Sequence, residues 1–175
     1  MKHPYILLTI PTLVAPAHAF ATTYLTVEQA QALIFPQTSL SADFRTLTDD
    51  QVKQIRQDSG VNVLNRDLKV WRVAGGGWFI LDQVLGKHEF ITYAVGLDSQ
   101  GAVKQIEILD YRESYGDQIR YPQWRGQFYG KRHGATLKLD EDIKNISGAT
   151  LSCRHITDGV KRLLSTYTLV LAPAR

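Results

Sequence analysis

The sequence predicts an α+β fold in which an antiparallel β-meander packs against a C-terminal helix, with a small N-terminal helical cap. Three observations predict it. Four strand-length apolar runs follow one another across connections of hairpin length, rich in turn residues. A single helix with one apolar face closes the chain. Two short segments with capping-box spacing precede the strands.

The chain opens with a segment that reads as a secretory signal. Lys2 and His3 form its charged start, residues 5–14 its apolar run, and Ala17-His18-Ala19 a small-residue cleavage site. The run is about ten residues long and holds Pro11, against roughly 20 apolar residues for a membrane span, so removal and export are expected. The expected division is a signal peptide over residues 1–19, an N-terminal helical segment over 20–66 and a domain over 67–170. The last two form one compact unit.

In the helical segment, Thr26 has Gln29 three residues on and Thr48 has Gln51, so each can start a short helix with a reciprocal cap. The expected strands are residues 68–73, 78–84, 90–97 and 103–109. Gly75-Gly76-Gly77, Gly86-Lys87-His88 and Asp98-Ser99-Gln100-Gly101 connect them. In the last run Val103, Ile106 and Ile108 sit among Lys104, Gln105 and Glu107, the pattern of a sheet with one wet face. Residues 110–138 form an aromatic stretch with Tyr111, Tyr115, Tyr121, Trp124, Phe128 and Tyr129, too long for a plain turn. A helix over about 150–167 ends the chain, with Cys153, Ile156, Val160, Leu163, Leu164 and Tyr167 on the face that should meet the sheet.

Composition excludes several function classes. Once Lys2 leaves with the signal, 19 basic residues stand against 17 acidic ones, interleaved, and no nucleic-acid partner is expected. Cys153 is the only cysteine, which rules out an internal disulfide, a CxxC redox pair and a c-type haem site. Its place on the apolar stripe reads as core filler. His88, His133 and His155 are too scattered for a metal pattern, and none is expected. Gly75-Gly76-Gly77 lacks the spacing of a dinucleotide fingerprint and joins two strands. No nucleophile, base or triad stands out, so an electron-transfer protein is favoured over an autonomous enzyme.

The segment that carries chemistry is Ser147-Gly148-Ala149-Thr150, directly before the last helix. A helix N-terminus presents unpaired N–H groups and positive potential to an anion, and Gly148 and Ala149 leave the Thr150 hydroxyl unshielded. A plainer reading makes Ser147 or Thr150 an N-cap. At ~7% usage per residue type, a chance match to such a four-residue string is on the order of 0.4%.

With these residues the sequence resembles the FMN-binding domain of the periplasmic flavin subunits of the Rnf complex and of the sodium-translocating NADH:quinone reductase, over roughly residues 88–166. Ser147-Gly148-Ala149-Thr150-Leu151-Ser152, followed by Asp158-Gly159-Val160, is the strongest part. Glu113-Ser114-Tyr115-Gly116 resembles the family's Glu-Thr-x-Gly loop, and residues 124–131, from Trp124 to Lys131, are similar to a third family segment. The resemblance implies a periplasmic flavoprotein whose FMN a flavin transferase attaches through the phosphate to Thr150, with a membrane or periplasmic redox protein as donor and acceptor. It implies a cofactor site made of Ser147, Gly148, Ala149, Thr150, Leu151, Ser152, Glu113, Ser114, Tyr115 and Trp124. Glu113 would lie against the flavin ring or cap its own turn at Gly116, and Tyr115 and Trp124 would stack on the ring or serve the core. The family's transferase prefers an Asp six residues before the Thr, where this chain has Lys144, with Asp140 and Asp142 out of register. Two further readings stay open: an exported accessory module of the same fold without flavin, and a flavin-dependent reductase.

Overall fold

The computed structural model describes residues 22–172, so the signal peptide expected at 1–19 lies outside the described residues. Seven strands and four α-helices follow in the order β1 (Thr22–Thr23), α1 (Val27–Ile34), β2 (Leu40–Ala42), β3 (Arg45–Thr46), α2 (Asp49–Ser59), β4 (Asp67–Val73), β5 (Trp78–Leu85), β6 (Phe90–Leu97), β7 (Val103–Tyr111), α3 (Pro122–Arg125) and α4 (Thr150–Thr166). The architecture is α+β, an antiparallel sheet with a long C-terminal helix and small N-terminal helices.

The sheet runs β1-β7-β6-β5-β4-β2, with β3 added beside β4. Its centre is the expected meander: Trp78 to Leu85 pair without a break with Leu97 back to Phe90. Two irregularities between β6 and β7 shift the register at Thr92/Tyr93 and Gly96/Leu97. Three short strands escape the sequence pattern. β1 extends the β7 edge, and β2 and β3 lie along β4.

Strand alternation sorts side chains to two faces. Val70, Ile80, Tyr93, Val95 and Ile106 point to one, where they meet Cys153, Ile156, Val160, Leu163 and Leu164 of α4 and Ile55 of α2. Phe79, Ala94 and Leu109 point to the other, under Ala30, Ile34 and Phe35 at α1. The N-terminal helices are therefore divided between the two faces of the sheet. Each starts at its expected threonine with both capping-box hydrogen bonds made, Thr26 with Gln29 and Thr48 with Gln51.

Two buried polar groups lock the layers. Arg162 of α4 is paired with Asp82 of β5 and donates to the Asn62 carbonyl, while Tyr93 donates to the same Asp82 carboxylate at 2.6 Å. Arg125 of α3 is paired with Glu107 of β7 and donates to the carbonyls of Ile106 and Arg120. This pins the aromatic stretch to the outer part of the sheet, as two 3-10 turns (Asp117–Arg120 and Gly126–Phe128) flanking α3. α4 continues into a π-turn, Tyr167–Leu171, held by Arg45, which donates to the Val170 carbonyl at 2.9 Å.

Candidate functional site

Before α4 the backbone turns sharply. Gly148 has φ +83°, a left-handed conformation that glycine alone adopts at little cost. Ala149 is the N-cap and offers no side-chain acceptor, and Thr150 is the first helical residue. The expectation that Ser147 or Thr150 caps the helix is thus corrected: Ser147 lies two residues too early and Thr150 one too late. The N–H groups of the first turn are left without a capping side chain, the condition under which a helix end favours an anion. The half-buried Thr150 accepts a hydrogen bond from Asn145 Nδ2 at 3.1 Å.

A second wall comes from the end of β7. The Tyr111 phenol donates to the Tyr115 carbonyl, so its contact of 3.1 Å with the Ser152 hydroxyl is one in which Ser152 donates. Burial pushes the Tyr111 phenol above its ordinary pKa, which keeps that proton in place. Gly116, at φ +94°, lies so close to α4 that a Cβ would sit 2.7 Å from both the Ala149 Cβ and the Tyr111 hydroxyl. The loop Glu113-Ser114-Tyr115-Gly116 is thereby packed onto Ser147-Gly148-Ala149-Thr150.

The third wall is the β5–β6 turn. Glu113 reaches across to it and accepts from the backbone N–H groups of His88 at 2.6 Å and Glu89 at 3.1 Å. Burial works to raise its pKa, but the N–H groups of His88, Glu89 and Lys87 outweigh it and hold the carboxyl below its ordinary value. Glu113 therefore caps a turn from outside, neither its own turn at Gly116 nor a free carboxylate. His155 on α4 adds a hydrogen bond from Nδ1 to the Leu85 carbonyl, fastening the same turn to the helix.

These three walls enclose a groove of about 550 Å³, lined by Lys87, His88, Glu113, Ser114, Tyr115 and residues 148–152. Its size is that of a cofactor site, within the usual range of about 300–1,000 Å³. Lys87 and the α4 N-terminus supply positive potential, and the one carboxylate present is spent on backbone N–H groups. Tyr115 stands at the rim with 82% of its surface exposed.

Of the ten expected site residues, the structure brings eight into the lining. Ser147 is exposed beside them, outside the lining. Trp124 is not brought into the group. It is buried, 5.2 Å from the Phe128 ring, with its indole N–H donating to the Lys144 carbonyl at 2.8 Å. Cys153 is fully buried, and burial pushes its thiol up to about 11. Sequence reasoning missed Lys87, His88, Tyr111 and Asn145 as site residues. The first two sit in a turn that hairpin chemistry alone explained, and the others act through contacts that spacing does not reveal. Among the described residues, no group of three or more His, Cys, Asp and Glu side chains could hold a metal ion. No helix among them is long and apolar enough to cross a membrane.

The fit to a flavin phosphate rests on the uncapped first turn of α4, the left-handed Gly148 and the close Gly116–Ala149 approach that together form the cradle. No curated protein matches the chain. A family model described as the FMN-binding domain matches residues 86–165, from the β5–β6 turn to the end of α4, a span that contains every lining residue of the groove. This part of the chain belongs to the family of FMN-binding domains, and the protein is a flavin-binding protein.

Proposed function

We propose that the chain is an exported flavoprotein that carries FMN as a phosphoester on Thr150 and passes electrons between redox partners outside the cytoplasm. The observation that carries this reading is that Thr150 lines the groove as the first residue of a helix with no capping side chain, together with the Glu113 loop. There the first-turn N–H groups and Lys87 suit an anionic phosphodiester. When bound, the flavin supplies transfer of one or two electrons. The chain's own part is to hold and orient it. Gly116 lets its loop pack against Ala149, Gly148 allows the left-handed turn before α4, Glu113 sets the position of the Lys87-His88 turn, and Tyr115 offers a ring at the mouth. An open groove with Tyr115 exposed at its rim suits exchange of electrons with another protein's cofactor.

The test is co-expression with a flavin transferase, followed by denaturation. The parent chain should keep yellow fluorescence and a mass increase of FMN minus water, and Thr150→Val should lose both. A colourless, unshifted parent would overturn covalent attachment. That outcome would favour a second reading, an exported accessory module without bound flavin. Its support is Lys144, a cation where the family's transferase prefers an acid, while nearby Asp142 is engaged with Lys131 and the Leu137 and Lys138 N–H groups.

A further inference from the structure

Asn145 touches Thr150 without lining the groove, and the orientation of its amide follows from the hydrogen bonds around it. Its Oδ1 accepts the Ile146 N–H at 2.8 Å, a role only the oxygen can fill, so the NH2 group faces Thr150 Oγ1 at 3.1 Å. An amide NH2 only donates. The Thr150 hydroxyl is therefore the acceptor in this contact and keeps its own proton to give away. A threonine side chain can take any of several staggered χ1 rotamers. The bond from Asn145 selects one of them, with the residue at the groove wall.

We propose that Asn145 is a positioning residue for esterification of Thr150, holding Oγ1 in a single rotamer with a lone pair turned to the incoming phosphorus. The inference rests on the reading that Thr150 takes the FMN phosphate. In that step the Oγ1–P bond forms as a P–O bond breaks in an activated donor, a pyrophosphate-linked flavin dinucleotide. The nucleoside monophosphate leaves with the electron pair of the broken bond, and the Thr150 proton passes to a base of the transferase or to water. Nothing is oxidised or reduced. Once the ester has formed, the neutral NH2 group lies beside an anion, which a carboxylate at the same position would repel.

The experiment measures initial rates of covalent flavin incorporation into the full chain by purified flavin transferase with a flavin dinucleotide, over a range of chain concentrations, together with Tm. Asn145→Ala should lower kcat about tenfold, the effect of one neutral hydrogen bond on a positioned nucleophile, with KM little changed. Asn145→Asp still accepts from the Ile146 N–H but cannot donate to Thr150, so it should slow incorporation at least as much while Tm stays at the parent value. Parent-like kcat in either variant, or a loss in Asn145→Asp matched by a fall in Tm, overturns the proposal. A parent that takes up no flavin overturns the Thr150 reading and this role with it, whereas a labelled parent with equally fast variants removes only the role of Asn145.

Discussion

Replacing Gly159 by alanine should destabilise the protein, although glycine is a poor helix residue. Gly159 lies on the sheet-facing side of α4, where a Cβ would stand 2.9 Å from Val84 Cγ1, 3.1 Å from Tyr93 Cζ and closer still to the Tyr93 hydroxyl. That hydroxyl cannot simply swing away, because it donates to Asp82, which also holds Arg162. Helix propensity alone would favour alanine by about 1 kcal/mol. Against it stand about 1–3 kcal/mol for overpacking and about 1 kcal/mol for a displaced hydrogen bond. The net expectation is a loss of about 1–3 kcal/mol, or several degrees in Tm at roughly 2–4 °C per kcal/mol for a chain of this size. Urea and thermal unfolding of Gly159→Ala, Tyr93→Phe and the double variant measure it, and removal of the phenol oxygen should recover part of the alanine's cost. A Gly159→Ala protein as stable as the parent would refute the close-approach argument.

Three further outcomes follow from the same contacts. Gly116→Ala forces a side chain into φ +94° and against Ala149, so it should cost about 1–2 kcal/mol in backbone strain alone and weaken flavin retention, read by Tm and by flavin fluorescence. Arg162→Met leaves the Asp82 carboxylate without its cation in a largely buried site and should cost about 3–5 kcal/mol, with part recovered when Asp82→Asn is added. The Glu113 pKa is lower folded than its ordinary 4.5, so its contribution is fully present above that value and is lost as pH falls through the folded pKa. Glu113→Gln should flatten that acid limb of a Tm-against-pH curve, and an unchanged limb would contradict the turn contact.

Elements with strong local signals were legible in the sequence. β4 to β7 differ from the expected runs by at most two residues at an end, and both capping boxes form as spaced. β1, β2 and β3 were not legible, since segments of two or three residues leave no period to read. The two motifs of the groove could be named from the chain, but not the Glu113 contact with the β5–β6 turn or the Tyr111 hydroxyl that spans Tyr115 and Ser152. Both depend on which residues tertiary packing places side by side. Trp124 illustrates the limit. An aromatic in a glycine-containing stretch reads equally as a ring to stack on a ligand or as core, and only its position against Phe128 and the Lys144 carbonyl decides.

The division of the helices between the two faces of the sheet bears on how the molecule opens. α1 rests on a thin apolar layer of Ala30, Ile34, Phe35, Val73, Phe79, Ala94 and Leu109, whereas α4 and α2 share the larger layer behind the groove. Cooperative units of unequal size come apart at different free energies, the smaller first. Excursions that lift α1 from the sheet therefore leave the layer shared by α4 and α2 in place. The helix that opens with Thr150 belongs to the larger layer, and its seating on the sheet does not rest on α1.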